Sequence, residues 1–108
     1  MNSKPKERNQ PSEIITGSGK FNSPPFDGPL VIYELIGLLN TTFGLTHCPG
    51  RNDRHSKQKL WNRNLLEDFL EISNWGADVL ISLNEAQEFQ QLGVPEFPEL
   101  AQQQNFDW

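Results

Sequence analysis

His47-Cys48-Pro49-Gly50-Arg51-Asn52-Asp53-Arg54 places a thiol, a neighbouring imidazole and a guanidinium at a spacing that suits phosphoryl transfer. In a loop of this kind a low-pKa thiolate attacks phosphorus. Backbone N–H groups hold the phosphoryl oxygens, and the arginine clamps them in a fork. The intervening residues argue against that chemistry here. Pro49 has no N–H to offer directly after the nucleophile. Asp53 sets a negative charge beside Arg54, where a phosphate dianion would have to sit. A phosphate loop also runs from a buried strand straight into a helix N-terminus. Here only Gly44-Leu45-Thr46 precede His47, and polar residues follow Arg54. Cys48 therefore reads as a buried or half-buried thiol at a strand end, and no catalytic residue is assigned.

The other reactive side chains are less organised. His47 and His55 flank Cys48 and Asp53, but the spacing fits no zinc pattern, so neither a metal nor any other cofactor is expected. Glu67, Asp68 and Glu71 fall on one side of a helix and read as a solvated face. Trp61 and Trp75 read as core, and Gln102-Gln103-Gln104 as helix surface.

Charge is spread unevenly along the chain. Residues 1–20 carry net +2, 21–50 net −2, 51–63 net +4, and 64–108 net −9 with no Lys or Arg, for a total of −5. An acidic chain lacks the clustered cations that a phosphate backbone needs, so nucleic acid is not an expected partner. The +4 segment either folds against the acidic half, lies solvated, or forms an anion site. A single cysteine excludes an internal disulfide. The longest apolar run, Leu30 to Leu39, is broken by Glu34 and is far short of the ~20 residues a spanning helix needs. No apolar leader opens the chain. A small, soluble, cytoplasmic protein with no membrane contact is expected.

These residues must be positioned by few elements. Residues 1–29, rich in Pro, Gly, Ser and Asn, read as a disordered tail. That leaves 30–108 as the folding unit, near the size at which one core is marginal. Leu30-Val31-Ile32-Tyr33 suits a strand that Leu35 to Leu39 can continue. Asn40-Thr41-Thr42 marks a turn, and Phe43 to Thr46 a second strand. Trp61 to Trp75 has helical periodicity: Trp61, Leu65, Phe69 and Ile72 share a face that Leu66 and Leu70 widen. Asn62 or Asn64 can cap it, and Gly76 supplies the left-handed stop. Val79-Leu80-Ile81-Ser82-Leu83 is apolar without alternation, which predicts a strand buried on both faces of a parallel sheet. Asn84 and Gln87 read as a capping box. Gly93 ends that helix, with Val94 placed to touch Phe89. Pro98 opens a further helix to about Gln104, with Leu100 and Ala101 as its apolar residues. Phe106 and Trp108, alternating with Asp107, suit an incoming strand. The order is α/β. The last stretch fits either a short edge strand or, more readily, the front part of a larger domain.

The stretch from Leu45 to Trp108 resembles a known family. Leu45-Thr46-x-Cys48-Pro49-Gly50 is similar to the Leu-Thr-x-Cys-Pro-Gly entry of bacterial dual-specificity phosphatases related to the kinase-associated phosphatase. Trp61-Asn62-Arg63-Asn64-Leu65 resembles the Trp-Asp-Arg-Asp-Leu that opens the family's helix. Trp75-Gly76-Ala77 with Val79 to Leu83 resembles its Trp-Gly-Ala and strand, and Glu88 to Pro95 its Glu-Leu-x-x-Leu-x-Val-Pro segment. Asn105 to Trp108 resembles the strand entering its His-x-Pro-Ile-x-Asp region.

The resemblance implies an incomplete three-layer α/β fold with a mostly parallel sheet and flanking helices. It aligns Cys48 with the family's Cys-Pro-Gly entry. The catalytic His-Cys-x-x-Gly-x-x-Arg loop has its glycine three residues after the cysteine, whereas Gly50 is two after Cys48. That loop and the general-acid Asp come after the matched stretch, so by correspondence the chain carries scaffold and no catalytic residue. Two functions follow as expectations. One is a truncated or split phosphatase-like protein, inactive alone, whose partner is a complementary C-terminal fragment. The other is a non-catalytic interaction module derived from the same fold that docks on another protein.

Overall fold

The computed structural model describes residues 24–53 and 60–108. Two strands, β1 (Tyr33–Ile36) and β2 (Thr42–Leu45), pair antiparallel. Three helices follow: α1 (Leu65–Trp75), α2 (Glu88–Gln91) and α3 (Phe97–Ala101). Between the strands, a 3₁₀ turn over Leu38–Asn40 puts Leu39 and Asn40 at φ of 58° and 63°. The first strand lies later than its apolar run suggests. Leu30 leaves the strand altogether and is buried in the core.

The helical period of α1 is real, but the helix starts at Leu65 and not at Trp61. Asn64 is the cap, and its side chain accepts from the Glu67 N–H at 3.0 Å. Residues 61–63 lie outside the helix and are held by partners elsewhere in the fold. The Trp61 ring packs on Phe26 at 4.6 Å. The Asn62 N–H donates to the Phe26 carbonyl (2.9 Å), and the Arg63 N–H to the Arg51 carbonyl (3.0 Å). Gly76 ends the helix at φ 101°. The buried stripe is Leu65, Phe69 and Ile72; Leu66 and Leu70 are exposed and do not widen it.

That stripe meets Phe89, Val94, Phe97, Ala101 and Phe106 to form the core. Phe97 is fully buried. It stacks on Phe89 at 4.6 Å and meets Phe69 edge-on at 5.3 Å. Helix α2 starts at Glu88, three residues later than a cap at Asn84 predicts; ahead of it, Glu88 Oε1 accepts from the Glu85 N–H at 2.7 Å. Its end is as expected, with Gly93 at φ 75° and the Val94 N–H donating to the Phe89 carbonyl at 2.8 Å. Pro98 lies in the first turn of α3, which closes at Ala101, short of Gln104.

The stretch 79–83 differs most from its reading. It forms one parallel bridge, Val79 to Asp107, with the Leu80 N–H donating to the Asp107 carbonyl at 2.7 Å. Leu80 packs against the core. Val79, Ile81 and Leu83 are 56%, 73% and 93% exposed. The run is not buried on both faces, because no described element covers its outer side. Of the stretch read as a tail, residues 24–29 lie against the folded body, as the ring of Phe26 on Trp61 shows; the rest falls outside the described residues.

Candidate functional site

The Cys48–Asp53 loop passes between α1 and the turn after α2, and hydrogen bonds from its backbone explain its shape. Gly50 sits at φ 75°, where its N–H donates to Asp68 Oδ2 at 2.8 Å. A Cβ at Gly50 would lie 2.7 Å from that of Leu65. The Arg51 N–H donates to the Cys48 carbonyl at 3.1 Å, and the Asn52 N–H to the Leu92 carbonyl at 2.9 Å. A phosphate cradle needs adjacent N–H groups turned toward one empty point. Here Pro49 has none, and those of Gly50, Arg51 and Asn52 are directed to separate protein acceptors.

The side chains agree. Burial, the dominant influence, pushes the Cys48 thiol up to about 11; Arg51 opposes the rise, while Asp68 and Asp53 add to it. A nucleophilic thiolate needs the opposite shift. The Arg51 guanidinium is pinned on the Trp61 ring, 4.2 Å from its centroid, and pairs with Asp53 at 2.5 Å. Arg54, the clamp of the local motif, lies outside the described residues, as do His55, Lys57 and Lys59. Among the described residues no cluster of His, Cys, Asp and Glu is arranged to hold a metal ion. His47 lies against Trp61 (5.3 Å between centroids), and its buried Nδ1 has no hydrogen-bond partner among the described residues.

The strongest polar constellation centres on Asp68, which the helical pattern places on a solvated face. It is 2% exposed. Its carboxylate accepts from the Gly50 N–H and twice from Arg63, through Nε to Oδ2 at 2.8 Å and through Nη2 to Oδ1 at 3.0 Å. The Arg63 guanidinium, itself buried, also donates to the carbonyls of Pro25 and Gly28. The pair thus ties three segments to α1: the stretch before β1, the Cys-Pro-Gly loop and the helix entry. The one signal available in the sequence was the five-residue step from an arginine before the helix cap to an acid in its first turn. Glu67, as expected, is exposed, and Trp61 is buried as core; Trp75 is only partly buried.

A shallow groove of about 570 Å³ lies beside the parallel bridge, lined by Val79, Ile81, Phe89, Pro98 and Trp108 among others. The Trp108 indole N–H donates to Ser82 Oγ at 2.8 Å across it. The groove is mainly apolar and carries no charged side chain. Among the described residues no helix is long and apolar enough to cross a membrane. No family model, curated protein or solved structure matches the chain.

Proposed function

We propose that this chain is the scaffold half of a dual-specificity-phosphatase-like domain, that it is cytoplasmic, and that it is inactive alone. Phosphomonoester hydrolysis would need a following or complementary segment that carries the general-acid Asp and the nucleophile loop. The observation that carries this reading is the parallel bridge between Val79 and Asp107, which borders the exposed side chains of Val79, Ile81 and Leu83. An isolated parallel bridge with a bare apolar flank supports this reading, because parallel sheets are ordinarily covered on both faces by further layers. The engaged loop and the raised Cys48 pKa support the inactive state of the chain by itself.

The test is complementation. The chain is mixed with a segment that contains His-x-Pro-Ile-x-Asp and His-Cys-x-x-Gly-x-x-Arg from a phosphatase of the resembled family. Co-elution with appearance of p-nitrophenyl phosphate hydrolysis is the expected result. No association at any ratio tells against it. A non-catalytic interaction module is the second reading, favoured by the outward apolar face of the β1–β2 hairpin.

A further inference from the structure

The β1–β2 hairpin turns its apolar side away from the body. Side chains alternate between faces along a strand. The register pairs Tyr33 with Leu45 and Leu35 with Phe43, so these four share one face. The other face carries Glu34, Ile36, Thr42 and Gly44. Gly44 identifies the inner side: a Cβ there would lie 2.7 Å from Ile32 and 3.1 Å from the Trp75 ring. The small residue lets the hairpin rest on Trp75, and the apolar quartet consequently faces outward, each member 50–56% exposed. At the tip, Ile36, Leu38 and Leu39 are 84%, 87% and 95% exposed.

We infer that this face is a self-association surface which pairs two copies of the chain about a two-fold axis. The inference stands apart from the phosphatase reading. Its size fits: with ~200 Å² for a whole large side chain, the quartet together with Leu38 and Leu39 at the tip exposes on the order of 800 Å². That exceeds the usual apolar patch of a monomer and equals about one side of a standard interface, ~800 Å². Its charge fits a second copy in particular. Each chain carries −5, and residues 64–108 carry nine acids with no Lys or Arg. Two copies therefore repel wherever those surfaces meet. Residues 28–46 contain one charged side chain, Glu34, and it lies on the opposite face of the hairpin. The hairpin is the neutral approach for a like-charged twin. A two-fold contact brings the same patch to itself, with Tyr33 and Phe43 as aromatic anchors.

The experiment is sedimentation equilibrium on the full chain from low to high micromolar concentration, at low and at high salt. A reversible species of twice 12.4 kDa is expected. It should tighten as salt screens the net charge. Leu35→Glu and Phe43→Glu should each raise the dissociation constant at least about tenfold. Leu83→Glu, on the other apolar edge, should leave it unchanged. If either hairpin variant loses its cooperative melt, the milder Tyr33→Ser gives the readout. A monomer throughout the range overturns the inference. So does a dimer that the hairpin variants leave intact, or one that only Leu83→Glu breaks.

Discussion

At the scale of single residues, the local match to a phosphate-binding cysteine loop and the observed chemistry of Cys48 point in opposite directions. A thiol pushed up to about 11 by burial stays protonated near neutral pH. Its alkylation by iodoacetamide should therefore follow a profile centred near 11 in the folded chain, above the ordinary 9.0, and return to the ordinary value in urea. A profile centred below 8 would refute this. The linkage sign follows from the same shift. The folded state holds the proton more tightly than the unfolded state does. The stability this contributes is complete below pH 9.0 and is lost as the pH rises through about 11. The urea midpoint should fall across that window, and fall less in Cys48→Ser. The Asp68 carboxylate is the residue on which the fold depends most. Asp68→Ala leaves the buried Arg63 charge unpaired, a change that costs about 3–5 kcal/mol. The exposed neighbour Glu67→Ala should cost less than about 1 kcal/mol. Denaturant melts of the two variants decide this, and similar midpoints would contradict it.

At the scale of elements, the turns carry information that the helices do not. Gly93 and Gly76 both adopt positive φ, at 75° and 101°. A Cβ at Gly76 meets open space, whereas one at Gly93 runs into the Asn52 carbonyl group. Gly76→Ala should cost about 1 kcal/mol, the left-handed penalty alone. Gly93→Ala adds a backbone clash that pushes the Cys48–Asp53 loop off the α2 turn, and it should cost at least about twice as much. Equal losses in thermal melts would count against that packing. The core stripe of α1, its Gly76 stop and the Gly93-Val94 turn were legible in the sequence, because each depends on neighbours within four or five residues. The helix start was not, because Trp61 and Arg63 are held by Phe26, Arg51 and Pro25, contacts that no local pattern encodes. Asp68 was misread for the same reason: its position in the first turn is typical of solvated acids, and only the fold brings Arg63 and Gly50 to it. Phe97, at the centre of the core, was missed because it stands between two acids and beside a proline, with no periodic partner.

At the scale of the whole molecule, apolar surface stands open among the described residues at the outward face of the hairpin and at the flank of the 79–83 segment. A core of about ten apolar side chains among the described residues is near the lower limit for independent stability. Association at either surface adds stability by mass action. The melting temperature should therefore rise with protein concentration if copies pair through the hairpin; a constant value over a hundredfold range would argue for a monomer. The sequence pattern of 79–83 was read as a doubly covered strand. Its apolar composition reports the burial the segment is suited to, whereas among the described residues no element covers its outer side, so Val79, Ile81 and Leu83 stand exposed.

In the proposed reading, this chain supplies scaffold and no nucleophile. The most direct measurement is the initial rate of p-nitrophenyl phosphate hydrolysis by the chain alone, by Cys48→Ser, and by the chain mixed with the complementary catalytic segment. Background rates are expected for the first two and turnover only in the mixture, at a level that Cys48→Ser in this chain leaves unchanged. Turnover by the chain alone that disappears in Cys48→Ser would contradict it, and would make the Cys48 loop the active site after all.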